Sequence, residues 1–375
     1  MRIGERIRKE RKNMGLKLKD LAREIGFNNY QTLSSIEKGE REIRVAELDK
    51  IAKVLGLTVS YLLGETEKME DRILWRKCTD DSKCKKFENE LKTFCSNYKK
   101  LCELVNYKYE KFIPPEPEKL QKEIYSDDYE FAGSLAKEYR KKLELGRYPG
   151  NNLIDALEEE NILIFCRDLG DFGSAASLVG DFGAAVLLNR KDMPWRRTFD
   201  IAHELFHLIT WNIYPSEEVY DDERGKSGPE KYADTFASFI LLPEESLREE
   251  IEKRIESGKI ELIDVIDVAY KFRVSLQALS WRLQNLRLFS SKEMQRLREN
   301  PNISKFNRLR EQREPDIPLL PVNYVTQAIK TYQKGRISKL KLADYLNVRY
   351  VEMRPFLQQY SYPDIEELNF GIISN

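Results

Sequence analysis

The first 66 residues place apolar side chains at helical spacing. Ile3 and Ile7 form one set, then Leu18, Leu21, Ala22 and Ile25, then Leu33 and Ile36, then Leu48, Ile51, Ala52 and Leu55. Within each set the returns every three or four residues mark one helical face. Gly15, Gly26, Gly39 and Gly56 fall between or after these runs, where helices stop. The pattern predicts about five short helices in a small bundle over 1–66. From 67 to 129 the chain turns charged and aromatic. Phe87, Leu91, Phe94, Cys95, Tyr98, Leu101, Cys102 and Val105 predict one long amphipathic helix, with "PPEP" at 114–117 as its breaker. This stretch reads as a helical connector.

Between 130 and 300 the signals mix. "AGSLAKEYRKKL" and "NLIDALEEE" have helical spacing, whereas "NILIFCRDL" and "DFGAAVLLNR" are apolar runs of strand length. A helix around His203 follows, then a polar loop over 214–229. The helix "EKYADTFASFILL" is ended by Pro243, and "LIDVIDVAYKFRVSLQALSWRLQNL" holds two more. In 301–375, "PDIPLLP" predicts an extended hinge, and the remainder a small helical domain. No internal repeat is found. The expected fold is multi-domain: an all-α N-terminal helix-turn-helix bundle (1–66), a helical linker (67–129), an α+β domain (130–300) and a small α-helical C-terminal domain (301–375).

Composition narrows the function. Lysine and arginine total 63, as do aspartate and glutamate, so any pull toward nucleic acid must be local. No apolar run approaches the roughly 18 residues of a membrane span, and the start, "MRIGERIRKERK", lacks the apolar core of a secretory signal. The expected location is the cytoplasm, with no membrane partner, and the five cysteines read as free thiols.

The local charge sits at the N-terminus, where the first 23 residues carry nine lysines or arginines against three acids. "LKLKDLAREIGF" followed by "NNYQTLSSIEKGER" reads as helix, glycine turn, helix. In that geometry the second helix enters the major groove with its N-terminal residues at base edges. Asn29, Tyr30, Gln31, Thr32 and Ser35 are the candidate base readers, and Lys17, Lys19, Lys38 and Arg41 the candidate phosphate contacts. Two half-sites on a double-stranded DNA operator would imply a homodimer. From Ile3 to Leu63 the sequence resembles the Xre/Cro-type helix-turn-helix family. It departs from that family at Leu18, where a phosphate-contacting glutamine is frequent, and in a turn lengthened by Asn28 and Asn29.

The second signal is "FDIAHELFHLITW". His203 and His207 are the chain's two histidines. Four residues apart on a helix, they share a face. Neutral imidazoles suit Zn²⁺, and a catalytic zinc takes three protein ligands and leaves one open position. The third ligand must then be a carboxylate or a cysteine. The next helix offers Glu230 and, one turn on, Asp234. Glu230 is assigned as the ligand, and Asp234 as the residue that bonds the far nitrogen of a ligating histidine. Glu204 would be the general base and acid. Tyr214, Tyr220, Tyr232, Arg196 and Arg197 remain open as candidates for stabilising an oxyanion.

"WRRTFDIAHELFHLI", "EKYADTFASFILLP" and "AAVLLNR" resemble the ImmA/IrrE family of metallopeptidases, with similarity from about Ala132 to Leu283. The resemblance implies a zincin-like fold, one Zn²⁺ per chain and action on a protein substrate. In that family the substrate is often a helix-turn-helix repressor whose loss switches on mobile-element, stress or defence genes. Phe206 stands where the family usually has glycine, which leaves substrate access open. The expected function is a DNA-binding transcriptional regulator with a zinc-dependent endopeptidase that cuts a regulator or its own chain. The alternative is a repressor whose metal domain senses a ligand or partner without proteolysis. Cys78, Cys84, Cys95 and Cys102 show no zinc spacing and leave a redox thiol open, while Cys166 is expected in the core. "GRISKLKLADYLNV" reads as structural or dimerising, with a second DNA-binding unit as the other reading.

Overall fold

The computed structural model describes residues 2–64, 73–76, 78–214, 228–255, 259–311 and 317–362. Five helices build the N-terminal unit: α1 (Ile3–Asn13), α2 (Leu18–Glu24), α3 (Tyr30–Lys38), α4 (Val45–Leu55) and α5 (Val59–Leu63). Their facing apolar residues, among them Ile7, Leu21, Leu33, Ile51 and Leu55, form one closed core. Within it, Arg11 of α1 grips Glu37 of α3 with two parallel bonds of 2.6 and 2.9 Å, both groups nearly buried. A forked, buried ion pair fixes orientation more than it adds stability, and here it sets the angle of α3. Gly4 lets α1 approach α3 closely, since a Cβ there would lie 2.1 Å from the Ile36 carbonyl oxygen.

The rest of the chain is organised by a four-stranded sheet. Its strands are β1 (Ile73–Trp75), β2 (Ile162–Arg167), β3 (Ala175–Gly180) and β4 (Gly183–Asn189), in the order β1-β3-β4-β2. β1 and β4 run antiparallel to β3, and β2 runs parallel to β4. Strands covered on both faces read as nearly continuous apolar runs, and β4 is buried along its whole length. Alternate residues divide between two cores. Ile162, Ile164, Cys166, Ala175, Val186 and Leu188 face one. Leu163, Phe165, Ala176, Leu178, Ala185 and Leu187 face the other.

The first face is covered by α7 (Asp128–Lys142), α8 (Leu153–Glu159), α9 (Pro194–Ile209) and α10 (Gly228–Leu241). Beyond them lie α11 (Glu244–Glu252), α12 (Leu262–Lys271) and α13 (Leu276–Asn285). The second face is covered by α6 (Asp81–Val105), α14 (Val322–Gln333) and α15 (Lys339–Leu346). Among the described residues no helix is long and apolar enough to cross a membrane.

Four expectations change. The stretch read as a connector supplies edge strand β1 and the long helix of the second face. α6 stops at Val105 rather than at "PPEP", because Asn106 turns left-handed (φ 55°), its N–H bonding to the Glu103 carbonyl and that of Tyr107 back to Cys102. "PDIPLLP" is not a free hinge over its described part, since Leu319 accepts from the Cys166 amide (3.1 Å) and from Arg167 (2.9 Å), docking the segment on β2. Finally, the five cysteines are not all free thiols. Cys78 bridges to Cys84 in the first turn of α6, with Cα atoms 6.4 Å apart, inside the disulfide window. Cys95, Cys102 and Cys166 are buried thiols outside that disulfide.

Candidate metal centre and nucleic-acid interface

Helix α9 starts on Pro194, whose missing N–H costs nothing at a first helical position. It lies against β3, β4 and α10 with nearly every residue covered. His203, Glu204 and His207 therefore sit in the core, at 0, 0 and 3% exposure. α10 brings Glu230 against them. His203 Nε2 lies 3.1 Å from His207 Nε2 and 3.3 Å from Glu230 Oε2, and His207 Nε2 lies 3.1 Å from Glu230 Oε1. Donors about 2.0–2.1 Å from a tetrahedral zinc sit about 3.3 Å apart. The three groups thus already have the mutual spacing of one ion's ligands.

The surroundings fit that reading. His203 Nδ1 is 3.0 Å from Asp234 Oδ1, the outer bond that fixes a ligating histidine's tautomer. Ser177 on β3 donates to Glu204 Oε2 at 2.8 Å, while Glu204 Oε1 is buried with no hydrogen-bond partner among the described residues. A buried orphan oxygen calls for a partner beyond the described residues, and a ligand held beside it would supply one. Burial raises the Glu204 carboxyl above its ordinary range, against the pull of His207, His203 and Ser177. Burial would raise Glu230 too, but hydrogen bonds from His203 and His207 hold it well below that range. Burial and the Arg76 charge lower His203, yet its bonds to Asp234 and Glu230 leave it raised on balance.

At the N-terminal unit, α3 is capped by Asn29, whose side chain accepts from the Gln31 amide at 2.9 Å. Asn28 and Asn29 both lie outside the helix, and α2 opens on Leu18. Lys17, Lys19, Asn29, Tyr30, Gln31 and Lys38 are exposed, while Thr32 and Ser35 are half-buried. Lys19 sits over the Tyr30 ring at 5.3 Å. Arg41 is committed elsewhere, because both terminal nitrogens bind Glu47 at 3.1 and 2.9 Å.

Residues 7–62 match the helix-turn-helix family model, and residues 157–284 match a peptidase family model described as the IrrE N-terminal-like domain. The chain joins a helix-turn-helix domain to an IrrE N-terminal-like domain. No curated protein and no solved structure matches it. It is a DNA-binding regulator that carries a metallopeptidase-like domain.

Within the IrrE N-terminal-like domain, Phe206 is fully buried between Phe236 (5.6 Å) and Tyr214 (6.0 Å). It packs α9 against α10. Tyr232 lies 6.0 Å from Tyr214 and edge-on to Tyr129. Arg196 pairs with Asp200 at 3.0 Å, and Arg197 is buried with Nη1 4.0 Å from the Cys166 sulfur. Tyr220 and most of the 214–229 loop lie outside the described residues.

Three functional-site residues escape the sequence reading: Ser177, Asp200 and Arg76. Ser177 sits in "AASLVG", too rich in small residues to signal a strand. Arg76 donates to buried Asp200 and, at 3.1 Å, to the same Asp234 oxygen that meets His203. It lies more than a hundred residues before those partners, and no local pattern connects them.

Proposed function

We propose that the IrrE N-terminal-like domain is a zinc endopeptidase that cuts a regulator protein, a helix-turn-helix repressor or its own chain. The observation that carries this reading is the convergence of His203, His207 and Glu230 beside a carboxylate oxygen that has no partner among the described residues. His203 and His207 would bind through Nε2, and Glu230 through its carboxylate. Zinc, when bound, supplies a Lewis acid that polarises a carbonyl and lowers the pKa of water. Glu204 Oε1 would take a proton from that water and pass it to the leaving amide nitrogen. Ser177 holds the other Glu204 oxygen, so the carboxylate presents one edge to the reaction. The covering helices keep bulk water away, which strengthens these interactions.

The helix-turn-helix domain would deliver this chemistry to an operator, with α3 in the major groove and the chain acting as a homodimer. Lys17, Lys19 and Lys38 are the proposed phosphate contacts, and Tyr30 and Gln31 the base contacts. Arg41 would first have to leave Glu47. Domain limits near 66, 129 and 300 go with this reading, although both faces of the sheet bind the parts together.

Glu204→Gln tests it. The variant protein, loaded with zinc, is incubated with genomically neighbouring regulators, and products are mapped by mass spectrometry. The expected result is a single cut by the parent protein, lost in Glu204→Gln with metal and DNA binding retained. A variant that still relieves repression would favour the alternative, a metal domain that senses without proteolysis.

A further inference from the structure

His203 has two sides. Its Nε2 faces Glu230 and His207, and its Nδ1 faces Asp234. Behind Asp234, on that second side, lies a cavity of about 560 Å³, within the usual size of a small-molecule site. Trp195, Arg196 and Phe199 of α9 form one wall. The first turns of α13, with Trp281, form another, and Arg76 and Arg298 both belong to the lining. Asp234 is in the lining, whereas His203, Glu204, His207 and Glu230 are not.

The lining has a distinct chemistry. Three arginines, Arg76, Arg196 and Arg298, oppose one aspartate, Asp234. Arg76 is nearly buried, whereas the Arg196 side chain is 48% exposed and holds Asp200 with one nitrogen. Arg298 stacks over Trp281 at 4.0 Å and is otherwise tied to neutral oxygens of Ser280 and Gln284 at 3.2–3.4 Å. The cavity also takes in the start of α13, the positive end of that helix. Planar guanidinium forks match phosphate or carboxylate, and the Trp281 indole, 47% exposed, offers a stacking face.

We propose that this cavity is a second ligand site, for a small organic anion that joins a phosphate to a planar ring, the nucleoside monophosphates being the fitting class. Its occupancy acts on the metal centre by a short path. Asp234 Oδ1 is shared by Arg76 and His203, so an anion that draws on Arg76 or Arg196 alters the hold on Asp234 and with it the seating of His203. The coupling rests on the proposed metal site, but ligand binding does not, since the cavity is built without the metal.

Tryptophan fluorescence of the full chain reads the test, because two of its four tryptophans line the cavity. AMP, GMP, adenosine and inorganic phosphate are titrated into metal-free and zinc-loaded protein. The expected result is saturable quenching by a nucleoside monophosphate below about 1 mM, with adenosine and phosphate each at least about tenfold weaker. Arg298→Gln and Trp281→Leu each weaken binding about tenfold or more, with zinc content unchanged. Zinc affinity, measured by chelator competition, shifts with the nucleotide, and nucleotide affinity shifts by the same factor with zinc. No saturable response to either nucleotide, or binding untouched by both substitutions, overturns the site. Equal binding of phosphate alone overturns the ring requirement, and binding that leaves zinc affinity unchanged overturns the coupling.

Discussion

Arg76 ties the N-terminal edge strand to the two helices of the proposed metal centre, and its removal has a calculable cost. Its side chain is 6% exposed, and Asp200, which it grips, is 1% exposed. Arg76→Ala leaves Asp200 buried with Arg196, itself half in solvent, as its remaining cation among the described residues. Breaking a buried pair by removing one partner costs about 3–5 kcal/mol, because the surviving charge stays out of water. The second contact, to the partly exposed Asp234, adds about 1 kcal/mol or less. Urea unfolding should therefore show a loss of about 3–5 kcal/mol at an unchanged slope. Asp200→Ala in the Arg76→Ala background should cost much less than in the parent, with a coupling energy of about 2 kcal/mol. Zinc affinity should fall about 10- to 100-fold in Arg76→Ala, since Asp234 loses the group that steadies it against His203. A loss under about 1 kcal/mol, or strictly additive single and double variants, would refute the reasoning.

Two further predictions follow from close contacts. Ser177→Ala removes the donor to Glu204 Oε2, so burial pushes that carboxyl further up. A base must be deprotonated to act, so the acidic limb of the kcat/KM profile moves to higher pH. A hydrogen bond to a charged group contributes about 1.5–3 kcal/mol, and rates on that limb should fall about tenfold or more; an unmoved limb would remove Ser177 from the mechanism. Gly4→Ala drives a methyl into the Ile36 carbonyl. It should destabilise the helix-turn-helix domain by about 1–3 kcal/mol or more and weaken operator binding in a mobility-shift assay, while zinc content stays the same.

What the chain discloses by itself is what lies within a turn or two along it. The five N-terminal helices follow from periodic apolar residues and glycine stops. His203 and His207 needed only helical spacing, and the shortage of histidine directed attention to Glu230. The stop of α6 has a weak local signal, since asparagine is one of the residues that take a left-handed helix cap; the more obvious "PPEP" masked it. Long-range pairing was not legible. β1 lies about a hundred residues before its partner strand, and its three residues carry no period. β3 is short and built of small side chains. The apolar faces of α6 and α14 show that each must be covered, but not that both cover the same sheet. Phe206 illustrates the limit at one position: the sequence marks it as unusual, and only the packing of Phe236 and Tyr214 around it shows that it belongs to the core.

The central claim is that His203, His207 and Glu230 hold a metal ion. Metal analysis of the purified full chain tests it most directly. About one zinc per chain is expected, retained in Glu204→Gln and lost in His203→Ala and Glu230→Ala. Parent protein that binds no metal when zinc is supplied, or zinc content unchanged in both ligand variants, would contradict it.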